Sequence, residues 1–153
     1  MKLPAAARAI AVPATDAVEA ARARDAAAFG TAVEALAAQD QERTGRVLGA
    51  VVRLLVEESH PDGVDSDDVR AVLAGCVRDA MTWQDDVDPQ VVLVLLAGAL
   101  GVYDPEGDDA PPKALTQARH GALLIASLLT TRPFGDCLTT AFDEIARAEH
   151  HDG

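Results

Sequence analysis

Hydrophobic and polar residues recur with helical spacing along most of the chain, most clearly over residues 67–82. There, apolar side chains return every three or four residues and form one stripe about 100° wide. Asp65 or Ser66 supplies an N-cap, and Pro61 and Gly63 end the preceding element. This pattern predicts a helix whose buried stripe consists of Val69, Val72, Leu73, Cys76, Val77, Ala80 and Met81.

The next element is apolar on every side. Asp88 and Pro89 provide an N-cap and a first-turn proline, and the run that follows, Val91–Leu100, contains no charged residue. Its β-branched valines are also compatible with a strand, but the cap favours a helix. A helix without a polar face is normally surrounded by others, so the pattern predicts a central helix at about 89–102.

The amino-terminal part of the chain is harder to divide. Residues 1–14 contain two prolines and no periodicity, which predicts a loose lead-in. Asp16 and Glu19 have the spacing of a capping box and predict an alanine-rich helix that ends near Phe29.

A second capping box, Thr31 and Glu34, follows Gly30 and predicts a stretch of helix that extends to about residue 58. The polar residues Asp40 and Thr44 fall on its apolar stripe. Either this helix carries a polar seam or it breaks near residues 40–45, and we favour the break.

Two further helices complete the pattern. One covers about 113–130, and Pro133 opens the last, which frays at residues 151–153. The predicted fold is therefore all-α: one compact domain over residues 15–150, with about six helices in bundle-like or orthogonal packing. The predicted inward-facing residues of these two helices are Leu115, Ala118, Ala122, Ile125 and Leu129, then Leu138, Ala141, Phe142 and Ile145.

Composition narrows the function classes. The chain has 153 residues, 49% hydrophobic and 25% charged, which is typical of a globular protein, and a formal net charge of −12. Because phosphate contacts depend on Lys and Arg, this charge argues against binding to nucleic acid or to an anionic membrane. Two cysteines and an amino-terminal apolar stretch interrupted by Pro4 and Arg8 predict a reduced, cytoplasmic protein without a signal peptide.

The charge is segregated. Residues 57–109 contain fourteen acids and two arginines, 14 − 2 = 12, which equals the whole net charge. A hairpin of the helices at 67–82 and 89–102 would bring the loops at its open end together. That arrangement predicts an acidic pole for a basic protein partner, although solvated loops and helix N-termini also explain acids at these positions. The pole consists of Glu57, Glu58, Asp62, Asp65, Asp67, Asp68, Asp104, Glu106, Asp108 and Asp109.

Motifs for metal binding are incomplete. The loop that starts at Asp104 has the first ligands of an EF-hand, but positions six and twelve are Asp109 and Leu115 rather than Gly and Glu. Glu57 and His60 have the spacing of one di-iron ligand pair, but no second pair accompanies them. We expect neither a metal nor another cofactor.

Three residues are candidates for a pocket. Arg119 and His120 lie on the polar side of an apolar helix, and Cys137 is in the first turn of the last helix, where a thiol can become reactive. Each also has a structural explanation, as a surface residue, a hydrogen-bonded histidine or a packed thiol.

The sequence shows no recognisable set of catalytic residues. The sequence therefore favours a non-enzymatic protein-interaction or regulatory module whose partner is a basic protein or a second copy of the chain. The alternatives are a ligand-binding protein or enzyme with a pocket between helices, and a structural homodimer built on the first two helices.

Overall fold

A computed structural model describes residues 4–101 and 113–152, and these residues form helices without any strand. The all-α prediction is confirmed, with seven helices in the described part of the chain rather than about six. They are α1 (Ala5–Ala23), α2 (Ala26–Ala37), α3 (Gln41–Ser59), α4 (Ser66–Met81), α5 (Pro89–Ala99), α6 (Ala114–Leu128) and α7 (Phe134–Asp152).

The helix α1 begins eleven residues before the predicted position at Asp16. The prediction of a loose lead-in is wrong from Ala5 onward, because Ile10 and Ala14 are buried in the core. Pro13 lies inside this helix; its ring fixes a φ close to the helical value, and the burial of the surrounding apolar side chains offsets the lost hydrogen bond. Asp16 and Glu19 are exposed residues within the helix and form no cap.

The junction between α1 and α2 also differs from the prediction. Arg24 ends α1 in the left-handed conformation, with φ 57°, and the Asp25 carboxylate caps α2 by accepting a hydrogen bond from the backbone N–H of Ala28 at 3.1 Å. Gly30 and Thr31 therefore lie inside α2. The Thr31 hydroxyl donates to the carbonyl of Ala27 instead of capping a helix.

A break between two helices is confirmed, but it lies at residues 38–40 rather than within 40–45, since α2 ends at Ala37 and α3 begins at Gln41. The carboxylate of Asp40 caps α3 through the backbone N–H of Arg43, and Thr44 is buried one turn later. At the other end, α3 stops before Pro61, and α4 opens with a reciprocal capping box between Asp65 and Asp68.

The central helix is α6 rather than α5. It packs against α1, α2, α3, α4 and α5, and most of its residues from Ala118 to Ile125 are buried. Gly121 permits this close packing, because a Cβ there would lie 3.0 Å from the Leu48 side chain. The prediction of a central helix at 89–102 is corrected: α5 buries only Val92 and Leu96.

The last helix, α7, packs against α3 and α1. It buries Cys137, Leu138 and Ala141 and continues to Asp152, so the predicted frayed tail is helical through residue 152. The helix α6 departs from the prediction at Leu115, which is 49% exposed instead of facing inward.

Candidate functional site

A large cleft lies between α3 and α4. Both helices pack against α5 and α6 but have at most marginal contact with each other, and the space between them measures about 790 Å³. Ligand sites in proteins commonly measure about 300–1,000 Å³. We call this cleft the α3–α4 groove; its walls and floor are Arg53, Glu57, His60, Pro61, Gly63, Val64, Asp65, Ser66, Val69, Arg70, Leu73, Leu93, Ala97 and Leu100.

The floor of the groove is apolar. The first turns of α4 lie beside the last turns of α5, as expected for a helical hairpin. The helix α4 contributes side chains four residues apart, and α5 contributes side chains at i, i+4 and i+7. All of these residues keep partial solvent exposure: Val64, Val69, Leu73, Leu93, Ala97 and Leu100.

Charged residues form the rim. The Arg53 guanidinium lies 3.2 Å from the Glu57 carboxylate, and the Arg70 guanidinium lies 3.4 Å from that of Asp67. Both arginines are exposed and have an acidic neighbour one turn away. The Asp65 carboxylate caps α4 and is itself exposed.

His60 connects the two walls of the groove. Its Nδ1 lies 2.8 Å from the Val56 carbonyl, and its Nε2 lies 3.6 Å from the Asp68 carboxylate. Because a carbonyl can only accept a hydrogen bond, Nδ1 carries a proton and donates to Val56. The imidazole thus lies between the end of α3 and the start of α4.

The predicted acidic pole is described in part. Glu57, Asp62, Asp65, Asp67 and Asp68 lie at the end of α3, in the connecting loop or at the start of α4. Glu58 is paired with Arg132, whose guanidinium also donates to the Thr140 hydroxyl at 3.1 Å. The other members of the pole, Asp104, Glu106, Asp108 and Asp109, lie outside the described residues, and so does the EF-hand-like loop up to residue 112.

Arg119 and His120 hold the loop between α4 and α5 against α6. His120 is only 2% exposed; its Nε2 accepts the backbone N–H of Asp88 at 3.0 Å, and its Nδ1 donates to the Thr116 carbonyl at 2.8 Å. Arg119 donates to the Gln84 side chain at 3.0 Å. Burial lowers the pKa of His120, and the Arg119 charge adds to this effect. The imidazole is thus neutral, with both nitrogens engaged.

Cys137 lies elsewhere, on α7, where that helix packs against α3 and α1. It is fully buried, and burial raises the pKa of its thiol despite the nearby Arg132 charge. Burial also raises the pKa of Cys76 to about 12. The cleft residues include none of Arg119, His120 and Cys137, so we do not propose a shared pocket for them.

Other chemistry in the described residues is limited. Ranges 4–101 and 113–152 hold no group of three or more His, Cys, Asp or Glu side chains that is arranged to bind a metal. Within the same ranges, no helix has the length and apolarity needed to cross a membrane. A smaller cavity of about 200 Å³ lies between Arg22, Arg24 and Trp83, whose indole packs edge-on against Phe29.

The groove is the feature that sequence reasoning missed. The signal was present, because α4 has an apolar stripe and α5 is apolar on every side, and the residues of both helices that form the floor are only partly buried. The sequence instead predicts an acidic pole, and it predicts that the apolar residues of α4 and α5 are buried in the core.

Comparisons with protein-family models, with curated proteins and with solved structures give no match. Any assignment of function therefore depends on the geometry of this chain alone.

Proposed function

We propose that the chain is a non-enzymatic interaction module that binds another protein through the α3–α4 groove. The observation that supports this most directly is the incomplete burial of α5. Its sequence is apolar along its whole length after Gln90, yet only Val92 and Leu96 are buried, and Leu93, Ala97 and Leu100 keep partial solvent exposure in the floor of the groove.

Exposed apolar surface has a physical cost. Each apolar Å² that is removed from water contributes about 25 cal/mol, so a fully apolar helix is normally enclosed by its own domain. Contiguous apolar surface with a polar rim is typical of binding sites. The groove has this composition, since its half-buried floor is surrounded by charged side chains.

The states of the candidate catalytic residues support a non-enzymatic role. His120 has both ring nitrogens in hydrogen bonds to the backbone, and Cys137 is buried with a raised thiol pKa. Neither offers a free base or nucleophile to a substrate.

Site-specific photo-crosslinking tests the proposal. A benzophenone amino acid is placed at Arg53 or Arg70 on the rim of the groove, and at Ala71 or Glu144, which are exposed on other faces. After irradiation in lysate of the source organism, we expect one discrete heterologous adduct at both groove positions and none at the controls.

Three results contradict the proposal. They are no adduct at the groove, the same adducts at all four positions, and an adduct with twice the mass of the chain. The last would assign the groove to a homodimer. If small apolar metabolites that are added before irradiation abolish a groove adduct, the groove would be assigned to a small ligand instead.

A further inference from the structure

The shape of the groove specifies its partner further, on the assumption that the proposed function is correct. We infer that the α3–α4 groove binds an amphipathic helix of another protein, with apolar residues at i, i+3 or i+4, and i+7 and with Lys or Arg beside them.

The floor has the spacing that a helix needs. Val69 and Leu73 form a row four residues apart on α4, and Leu93, Ala97 and Leu100 form a second row on α5. Two rows from neighbouring helices leave a furrow between them, and the side chains of a third helix fill such furrows at intervals of three or four residues. Helix-in-groove recognition uses this same set of anchors.

The size of the groove also suits a helix. A helix about 10 Å in diameter that rises 1.5 Å per residue occupies about 120 Å³ per residue. The groove volume of about 790 Å³ therefore corresponds to six or seven residues, just under two helical turns. Six or seven residues include two anchor side chains, at i and at i+3 or i+4, and the third anchor at i+7 lies just beyond this length.

The rim determines the charge of the partner. The charged residues that line the groove balance, with Arg53 and Arg70 against Glu57 and Asp65. Glu58 is paired with Arg132, so the excess of negative charge beside the groove comes from three acids, Asp62, Asp67 and Asp68. Both arginines already have acidic neighbours, and Asp62 in the connecting loop is exposed without a charged neighbour among the described ion pairs. Lys or Arg on the incoming helix would complement this excess.

Charge disfavours two other occupants. A second copy of the chain carries the same net charge of −12. The segment at 102–112, which follows α5 in sequence, contains four acids and no basic residue. Like charges repel across a desolvated contact, so a separate basic helix fits the groove better than either.

A display library provides the probe. It consists of 18-residue helices with leucine at the anchor positions and with Lys, Arg, Glu, Gln or Ala at the polar positions. The complete chain is the bait, and enriched peptides are measured by fluorescence anisotropy at low and high salt. We expect enrichment of peptides with an excess of Lys and Arg.

Two matched pairs of variants locate the site. Ala97→Trp fills the groove and should weaken binding at least tenfold, while Ala71→Trp on the outer face of α4 should not. Asp62→Asn should weaken binding two- to fivefold at low salt and less at high salt, while Asp16→Asn on α1 should have no effect. Because Asp62 is exposed, that pair remains informative if Ala97→Trp does not fold.

The inference is overturned if no peptide is enriched, if neutral or acidic peptides prevail, or if Ala97→Trp and Ala71→Trp bind equally well. Photo-crosslinking of a partner at Arg53 and Arg70 without enrichment of basic helices would reject this inference and leave the proposed function in place. Absence of that crosslinked partner would reject the proposed function itself.

Discussion

The hydrogen bonds of His120 make the stability of the fold depend on pH in the range where histidine titrates. Its Nε2 accepts the backbone N–H of Asp88, the N-cap residue of α5, at 3.0 Å. If Nε2 were protonated, two N–H donors would face each other, and the imidazolium would place a positive charge in the core. Protonation therefore requires the contact to break, and burial accordingly lowers the pKa of the folded state.

The direction in which the free energy of unfolding changes with pH follows from the linkage between protonation and folding. Because the folded pKa is below the unfolded value of about 6.5, the unfolded state binds more protons as the pH decreases. The free energy of unfolding is therefore unaffected by this group above pH 6.5 and decreases below it, until the folded pKa is reached. The slope for one proton is at most about 1.4 kcal/mol per pH unit, so the loss at pH 5.5 is at most about 1.4 kcal/mol.

Urea denaturation between pH 7.5 and 5.5 tests this prediction, with His120→Gln as the variant and His60→Gln as the control. His120→Gln should be less stable than the parent at pH 7.5, by about 1–3 kcal/mol for the lost hydrogen bonds. The difference from the parent should then shrink as the pH decreases, whereas His60→Gln keeps the His120 titration. Parallel stability profiles for the parent and His120→Gln would refute the reasoning.

Three further predictions concern single elements. Asp65→Ala removes the capping box of α4 and should lower the free energy of unfolding by about 1 kcal/mol, whereas Asp67→Ala in the same turn should change it by less than about 0.5 kcal/mol. Arg24→Gly relieves a left-handed residue at φ 57° and should raise the thermal midpoint, with a gain of about 0.5 kcal/mol. Cys76 and Cys137 are buried with raised thiol pKa values, so a chromogenic disulfide reagent at pH 8 should label neither in the native protein and both in denaturant.

The sequence predicts best where its local signals are strong. Between residues 40 and 101, each helix start has an aspartate N-cap, at Asp40, Asp65 and Asp88, and all three cap their helices in the structure. In the first forty residues Asp25 caps α2, but the alanines around it are compatible with either face of a helix, so no apolar stripe marks Asp25 as a cap. In that region Pro13 resembled a breaker and Asp16 a cap, while tertiary packing determined the actual boundaries.

The position of a helix within the domain was less predictable than its existence. Apolarity pointed to α5 as the centre, whereas the central α6 contains Arg119 and His120, which a binary pattern assigns to the surface. His120 is compatible with burial because the backbone satisfies both of its nitrogens, which no local pattern encodes. The groove could not be predicted from the sequence either, because its floor residues have the same apolar pattern as a buried core.

The position of α6 has a consequence for the order in which the molecule forms. Synthesis on the ribosome delivers α1 to α5 before the helix that all five of them contact. Until Ala114–Leu128 emerges, the apolar faces of these early helices have no common surface to close on, and they remain accessible to chaperones and to aggregation. Nascent chains arrested near residue 113 should therefore be protease-sensitive, and compaction should come abruptly once α6 clears the exit tunnel.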